Sequence, residues 1–378
     1  MQNQPNKIMN NQRLADHQHL TLPALSSSAH PPAGGSLIQR TDFFFHGSHS
    51  ERTRAPAVRF FLALLLVSAL FFTGCAHHPA DPATSALYLS PVPTGEQPSH
   101  TPVFLVSKNH REYNRIGTPA VQPASDGSAE VIVNPAEPTI YFETATFATP
   151  RGQYRNLIYR LHFSEVPFGL GQWNLTTGKN PGLLIIYTLN QDDRLLLVTT
   201  VHTCGCYLAF LPTRFLDRDA FPSNWPEQHQ RVYGYNLPAL LDTSAEARVP
   251  LTFTIADQTH RISAVTTGIP DASDYNGNLI PMELLPLGAL YHLPHNDSTV
   301  PFFATTGPRA GYVKNNTKIL ERLFISWWAF DWRVGEDKAY GQDDTSPAIF
   351  YTSLKFWART ASDLKNFPAF LEYWGWRL

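Results

Sequence analysis

A histidine and two cysteines occupy alternate positions in the stretch VHTCGCYLAF, residues 201–210. Imidazole nitrogen and thiolate sulfur are ligands that suit Cu(I) and Zn(II), so His202, Cys204 and Cys206 together would supply most of a metal site. The same two cysteines stand close enough in sequence to form a disulfide. Because the chain has only three cysteines, this motif is the most specific chemical signal in the sequence.

A fourth metal ligand has two sources elsewhere in the chain. One is the segment YHLPHND, which contains His292 and His295, and the other is His162 in YRLHF. Three uses of the motif stay open at this point. They are a structural or sensing disulfide between the two cysteines, a Cu(I) or Zn(II) site that includes His202, and buried thiols beside a His202 that is hydrogen-bonded in the core.

The element that positions the motif is predicted to be a strand over residues 194–210. Side chains of a strand alternate between two faces, so His202, Cys204 and Cys206 would share one face, and apolar residues on both faces indicate an interior strand. Gly205 interrupts the pattern and indicates a bulge or bend within Cys-Gly-Cys. Such a bend would bring the two cysteine Cα atoms closer than the roughly 6.6–6.8 Å of an extended strand, and so favour a disulfide.

The segment RFFLALLLVSALFFTGC, residues 59–75, indicates where the chain is sent. Its apolar stretch is shorter than the ~20 residues of a membrane-spanning helix and is typical of a signal peptide. The ending Thr-Gly-Cys resembles the lipobox of bacterial lipoproteins, with Phe72 where leucine is usual. The resemblance implies a signal peptide over 58–75 and lipidation of Cys75. With Ala76 next, it also implies a lipid anchor at the periplasmic face of the outer membrane in a Gram-negative bacterium.

The regions on either side of this segment differ in composition. Residues 1–57 are rich in Gln, Asn, His and Ser and are predicted to be a disordered tail or an over-extended gene start. Residues 76–102 carry six prolines, which predicts an extended tether. Thiols outside the cytoplasm tend to form disulfides, and lipidation of Cys75 would leave the other two cysteines only each other as intramolecular partners.

Segments rich in β-branched and aromatic residues predict a β-rich domain over 103–300. NQDD (190–193) and ADQT (256–259) indicate hairpin turns, because Asn and Asp bond their own backbone. The predicted fold class is β-rich α+β, with an antiparallel, sandwich-like or strongly bent sheet and a helical, Trp-rich C-terminal segment, 301–378, packed on it. The predicted strands are 139–149, 154–163, 182–190, 194–210, 249–257 and 260–268.

Two helices are predicted in the C-terminal segment. In TKILERLFISWWAFDW (317–332), apolar residues recur at helical spacing and the charged residues fall mostly on the other side. In SDLKNFPAFLEYWGW (362–376), Ser362 would be the N-cap and Pro368 a break. Six of the eight tryptophans lie in the C-terminal segment, between residues 327 and 376. They are expected to fill the space between helices and sheet, and an aromatic surface that rests on lipid is the alternative.

Charge and motifs limit the functional classes. The net charge of −2 gives no electrostatic reason to bind nucleic acid. The resemblance to lipoproteins implies a membrane as partner, through the lipid anchor, and another envelope protein is a further expected partner. The chain lacks GxSxG, HExxH, phosphate-loop and GxGxxG motifs, so no catalytic residue is predicted and a non-enzymatic role is favoured. The carboxylates of FDWRVGEDKAYGQDD are expected to lie in a solvated loop; they are Asp331, Glu336, Asp337, Asp343 and Asp344.

The predicted function is therefore that of a lipid-anchored cell-envelope protein. In the first hypothesis it is a binding or assembly module with a thiophilic metal site at His202, Cys204 and Cys206, completed by His292 or His295. In the second it is a structural or interaction lipoprotein with a local disulfide between the two cysteines. A third hypothesis, a thiol oxidoreductase, requires an exposed cysteine pair.

Overall fold

The chain folds mainly into short strands. The computed structural model describes residues 80–168, 174–243, 249–275 and 278–378. In chain order the strands are β1 (Ala86–Leu89), β2 (Val103–Val106), β3 (Thr118–Pro123), β4 (Ala129–Asn134), β5 (Thr139–Thr149), β6 (Gly152–His162), β7 (Glu165–Val166), β8 (Gly178–Lys179), β9 (Gly182–Leu189), β10 (Leu195–His202), β11 (Ala209–Pro212), β12 (His229–Val232), β13 (Tyr235–Pro238), β14 (Leu251–Ile255), β15 (Ile262–Thr267), β16 (Leu279–Pro281), β17 (Glu283–Pro286), β18 (Leu293–His295) and β19 (Ser298–Val300). The α-helices of this part are α1 (Ile319–Ala329) and α2 (Phe367–Tyr373). Short 3₁₀ helices lie at Pro98–His100, Glu112–Asn114, Arg218–Ala220, Ala272–Tyr275, Leu287–Tyr291, Gly307–Arg309 and Phe356–Ala358.

A six-stranded sheet lies at the centre of the fold. Its strand order is β11-β10-β9-β6-β5-β17, and only the edge strand β17 is parallel to its neighbour. Strands β9 and β10 are buried at every position, which explains their continuous apolar sequences. The strands predicted at 139–149, 154–163 and 182–190 correspond to β5, β6 and β9 within two residues. Both predicted hairpin turns also connect neighbouring antiparallel strands.

A five-stranded sheet packs against one face of the central sheet. Its order is β15-β14-β2-β1-β16, with parallel pairing of β14 with β2 and of β1 with β16. Alternation along β6 places Leu157, Tyr159 and Leu161 in one core with Phe104 of β2 and Phe253 of β14. Two sheets that share an apolar core in this way form a sandwich, so the predicted β-rich, sandwich-like class is confirmed.

The C-terminal segment covers the other face of the central sheet. Ile158 of β6 and Val201 of β10 share a second core with Phe350, Phe370 and Trp376. Residues 301–378 therefore pack on the sheet. Outside α1 and α2, however, most of this segment consists of turns and extended chain rather than helix.

Helix α1 forms where the apolar spacing predicts it, but it faces the opposite way. Lys318 and Glu321, on its charged side, are only 2% and 6% exposed. Ile319, Leu323 and Trp327, one turn apart on its apolar side, are 69%, 65% and 69% exposed. The expectation that tryptophans fill the space next to the sheet holds for Trp374 and Trp376. It is wrong for the four that are exposed, which are Trp327, Trp328, Trp332 and Trp357.

Helix α2 differs from its prediction at the N-terminal end. Pro368 lies in the first turn, where a missing N–H leaves no helical hydrogen bond unmade, so it begins the helix rather than breaking it. The N-cap is Asn366, whose side chain accepts a hydrogen bond from the Ala369 N–H. Ser362 is buried upstream of the helix and does not cap it.

Strand β1 lies inside the segment 76–102, which its prolines predict to be a tether. It pairs with β2 and β16, and its residues Ala86, Leu87 and Tyr88 are buried. The tether prediction is wrong for these residues, because the apolar run ALYL joins the five-stranded sheet. The β-rich domain consequently extends upstream of residue 103.

The predicted leader lies outside the described residues. This applies to residues 1–57, to the signal peptide over 58–75 and to Cys75. The described residues all belong to one unit of the chain, Phe71–Leu378. Within the part that the structure describes, none of the helices has the length and apolar character needed to cross a bilayer.

Candidate functional site

The histidine and the two cysteines lie at the end of strand β10, in a tight turn that we call the hairpin tip (His202–Cys206). The His202 carbonyl accepts a hydrogen bond from the Gly205 N–H at 2.8 Å, and the His202 N–H donates to the Cys206 carbonyl at 2.9 Å. Gly205 has a φ of +94°, the left-handed conformation that completes a three-residue turn with a bulge. The bend predicted within Cys-Gly-Cys is confirmed, whereas the predicted strand ends at His202 instead of continuing to residue 210.

Cys204 and Cys206 are joined as a disulfide across this turn. Their Cα atoms are 5.6 Å apart, within the usual range for a disulfide and closer than an extended strand would hold them. The Cys206 N–H also donates a hydrogen bond to the Cys204 sulfur at 3.4 Å. Cys204 is buried and Cys206 is half-buried, so the pair reaches the surface through Cys206.

His202 stands beside the sulfurs as a neutral imidazole. One of its ring nitrogens and the two sulfurs all lie within 4.8 Å of one another. Its Nε2 lies 3.0 Å from the carbonyl oxygen of His260. Because a carbonyl oxygen only accepts, Nε2 carries the proton and Nδ1 keeps its lone pair. Burial lowers the pKa of His202 to about 4. A neutral imidazole fixed by a hydrogen bond at its other nitrogen is the form that binds a metal ion.

Aromatic and cationic side chains border the hairpin tip on one side. The ring of Tyr207 meets the His202 imidazole edge-on, with 4.7 Å between ring centroids. The Arg261 guanidinium lies 4.0 Å above the Tyr207 ring and also donates to its hydroxyl at 2.7 Å. Tyr233, which is half exposed, packs against the outer side of Tyr207. These contacts fix the ring that shields His202.

Residues 336–338 hold the hairpin tip from the other side. The Lys338 ammonium donates to the carbonyl oxygens of Cys204 and Glu336, both at 3.0 Å. The Asp337 carboxylate accepts a hydrogen bond from the hydroxyl of Thr203, and the Lys338 N–H donates to the Thr203 carbonyl at 2.9 Å. The turn that carries the cysteines is therefore held at two consecutive residues by buried charged groups.

The charges below the hairpin tip form a buried network. Asp337 lies 3.4 Å from the Lys318 ammonium and accepts a hydrogen bond from Asn316 at 2.7 Å. Burial opposes ionisation of Asp337, but Lys318 and the Thr203 hydroxyl outweigh it and hold the pKa of Asp337 below its ordinary value. Burial lowers the pKa of Lys338 to about 8, against the attraction of Asp337. Removing one member would leave its partner charge buried and uncompensated.

The expectation of a solvated acidic loop over 331–344 is wrong for most of its carboxylates. Glu336 and Asp337 are buried, and each forms ion pairs with basic side chains. Asp344 pairs with a lysine, and Asp331 accepts a hydrogen bond from a tyrosine hydroxyl. Asp343 is exposed, as expected.

The histidines predicted as further metal ligands do not join the hairpin tip. Within the described ranges, the only group of three or more donor side chains close enough to share a metal ion is the hairpin tip itself. His292 is exposed, and His295 is half-buried in β18. His162 is buried beside Arg160, whose Nε donates to the His162 Nε2 at 2.9 Å. The prediction of His292 and His295 as ligands is therefore wrong.

Three residues of the site were not predicted from the sequence. They are Thr203, Asp337 and Lys338. Thr203 lies within the motif, so its place at the turn could have been inferred from its position. Lys338 and Cys204 are 134 residues apart, and no local pattern reports such a contact. The one available hint is the density of charges in the otherwise aromatic stretch around GEDK.

Comparisons of the chain with protein-family models, with curated proteins and with solved structures find no match.

Proposed function

We propose that the chain is a cell-envelope binding or assembly protein whose hairpin tip binds a thiophilic metal ion, Cu(I) or Zn(II). The observation that carries this proposal is the convergence of one imidazole nitrogen and two sulfurs within 4.8 Å. His202 is neutral, and its Nδ1 keeps a lone pair because Nε2 is bound to the His260 carbonyl. Three protein ligands leave a further coordination position for a ligand from solvent or from a partner that exchanges the metal.

Metal binding requires the dithiol form of the pair. A dithiol reductant supplies two electrons and two protons to the Cys204–Cys206 bond and is itself oxidised to a disulfide. The metal ion then displaces the two thiol protons, which pass to solvent, and the sulfurs bind as thiolates. The Cys206 N–H that points at the Cys204 sulfur favours the thiolate of Cys204.

The test is metal stoichiometry in the reduced protein. The chain lacking residues 1–75 is reduced, loaded with Cu(I) or Zn(II) without oxygen, and analysed for bound metal after desalting. One equivalent is expected for the wild type and none for Cys204→Ser or Cys206→Ser. His202→Gln should bind at least 10-fold more weakly, because the glutamine amide can still donate to the His260 carbonyl but lacks the second ring nitrogen. His292→Gln is the matched control and should bind like the wild type.

A structural disulfide is the second candidate. It is favoured by the way Lys338 and Asp337 hold the turn around the bonded sulfurs. In that case the reduced protein binds no metal, the isolated protein has no free thiol, and Cys204→Ser lowers the free energy of unfolding. A thiol oxidoreductase, the third candidate, would instead oxidise or reduce an added dithiol substrate over many turnovers through the half-buried Cys206.

We infer separately that Cys75 carries the lipid that holds the protein at the periplasmic face of an outer membrane. The support is the sequence TGC at the end of an apolar segment of signal-peptide length. In cells that express the full chain, labelled palmitate should enter the mature protein, and Cys75→Ser should abolish labelling. Labelling that persists in Cys75→Ser would contradict this inference without bearing on the metal site.

A further inference from the structure

A large apolar surface that no other described residue covers extends over helix α1 and the turn after it. We call it the aromatic face and define it by Leu323, Trp327, Trp328, Phe330, Trp332 and Trp357, which are between 63% and 72% exposed. Phe330 packs against Phe356 with 5.1 Å between ring centroids, and Phe356 packs against Trp357, so the two chain segments form one surface. Contiguous exposed patches of this kind mark interaction sites.

The polar contacts of helix α1 hold the aromatic face outward. Lys318, at the N-cap, pairs with buried Asp337, and Arg322 donates to the buried carboxylate of Glu336 at 2.7 Å. Rotating the helix to bury its tryptophans would break both pairs. The buried carboxylate of Asp337 would lose its ion-pair partner, and Glu336 would keep only Arg309, which is strongly unfavourable. The exposure is therefore enforced by the rest of the fold.

The charges around the aromatic face are positive. Segments 319–333 and 354–359 contain four basic residues. Arg322 is paired with Glu336 and Arg359 donates to the Ala329 carbonyl, so the cations beside the rings are the exposed Lys355 and the half-buried Arg333. The only carboxylates of these two segments are Glu321, which is buried, and Asp331, which is bound by the Tyr351 hydroxyl. A surface that combines tryptophan with cations and offers no free carboxylate is complementary to anionic lipid headgroups above an apolar layer.

We propose that the aromatic face docks on the interfacial layer of an anionic phospholipid bilayer. Tryptophan prefers this layer because its ring is apolar and its N–H stays near water and headgroups. Lys355 and Arg333 meet the lipid phosphates, while the tryptophans enter the region between headgroups and acyl chains. This contact belongs to the folded domain and requires neither a bound metal ion nor an acyl chain.

Tryptophan quenching in vesicles tests the docking. The full chain is reconstituted into vesicles of phosphatidylglycerol and phosphatidylethanolamine with brominated acyl chains, which quench tryptophans that touch them. All eight tryptophans of the chain lie at residue 173 or later, so the signal comes from the domain and not from the leader. A blue shift and the loss of about half of the emission are expected, because four of the eight tryptophans lie on the aromatic face.

Variants separate this contact from the leader. Replacing Trp327, Trp328, Trp332 and Trp357 by Gln should abolish quenching while the circular dichroism spectrum stays unchanged. Trp225→Phe, which alters a ring packed on the core, should leave the quenching in place. Lys355→Glu changes one exposed residue with little risk to folding, and it should weaken the quenching on phosphatidylglycerol vesicles more than on phosphatidylcholine vesicles.

Two results would overturn the proposal. In the first, the wild-type chain sediments with the vesicles but its tryptophan emission is not quenched. In the second, the wild-type chain is a dimer in solution, Trp327→Gln dissociates it, and lipid does not quench the tryptophans. The aromatic face would then bind a second copy of the chain. Metal stoichiometry should be unaffected by the tryptophan variants, so this test and that of the metal site fail independently.

Discussion

Gly205 sets the geometry of the hairpin tip at the scale of single residues. Its φ of +94° costs a residue with a side chain about 1–2 kcal/mol, and an added Cβ would also collide with the carbonyl oxygen of Tyr351. We expect Gly205→Ala to lower the free energy of unfolding by about 2–4 kcal/mol, which urea unfolding measures. Gly127→Ala is the matched control, because Gly127 has a φ of +80° with open space around it. Equal losses in the two variants would contradict the steric argument.

His202 makes stability depend on pH in the acid range. Burial lowers its pKa from 6.5 to about 4, so between these values the unfolded chain binds a proton that the folded chain does not. Stability from this residue is present above pH 6.5 and is lost as pH falls toward 4, by up to about 3 kcal/mol. His202→Gln should lose less stability than the wild type between pH 7 and pH 4.5 in urea unfolding. A wild-type pH profile retained by the variant would show that other groups, such as His260, carry the effect.

Sequence predicts part of the site at this scale. The donor set and the bend at Gly205 follow from residue types and spacing alone. The roles of Lys338 and Asp337 do not, because they depend on a contact between segments 134 residues apart. Likewise, the sequence proposed His162 as a metal ligand but could not show that Arg160, two residues earlier on β6, donates a hydrogen bond to the His162 Nε2. This hydrogen bond occupies one of the two ring nitrogens that could bind a metal.

Helix α1 shows what sequence can establish at the scale of one element. Its position follows from the 3.6-residue spacing of its apolar residues. Its orientation does not, because that inference assumes that the apolar side packs inward. Here Lys318 and Arg322, on the polar side, form ion pairs with the buried carboxylates of Asp337 and Glu336, so this side faces inward.

The inward-facing Glu321 gives helix α1 a pH dependence of opposite sign. Burial raises the pKa of Glu321 to about 7, against the attraction of Lys318. Between the ordinary value of 4.5 and about 7 the folded chain holds a proton that the unfolded chain has lost, so stability falls as pH rises through this range. Glu321→Gln should therefore be more stable than the wild type at pH 8, by up to about 3 kcal/mol, and equal to it below pH 4.5. Thermal unfolding at both pH values checks this. The control Glu372→Gln, at an exposed carboxylate, should change neither value.

At the scale of the whole molecule, the sandwich could be predicted and its first strand could not. The central strands are long and rich in β-branched residues, whereas β1 has four residues and lies among prolines. It is stabilised by pairing with β16, almost 200 residues later in the chain, which no local pattern reports.

Removal of a β1 side chain measures how far the domain extends toward the N terminus. Leu87 is fully buried against Val103 and Leu105, so Leu87→Ala should lower the free energy of unfolding by about 2–5 kcal/mol. Val92→Ala changes an exposed residue a few positions later and should cost less than about 0.5 kcal/mol. Chemical unfolding of both variants gives the comparison. Equal, small losses would mean that the tether prediction holds for β1 after all.

The ion pair between Lys318 and Asp337 connects the hairpin tip with the helix that carries the aromatic face. Asp337 also accepts a hydrogen bond from Thr203 in the hairpin tip, and Lys318 is the N-cap residue of helix α1. If lipid docking shifts this pair and changes the metal affinity by some factor, metal binding must change the lipid affinity by the same factor. The two proposed activities would then be reciprocal, so a membrane of suitable charge would act as an effector of metal loading.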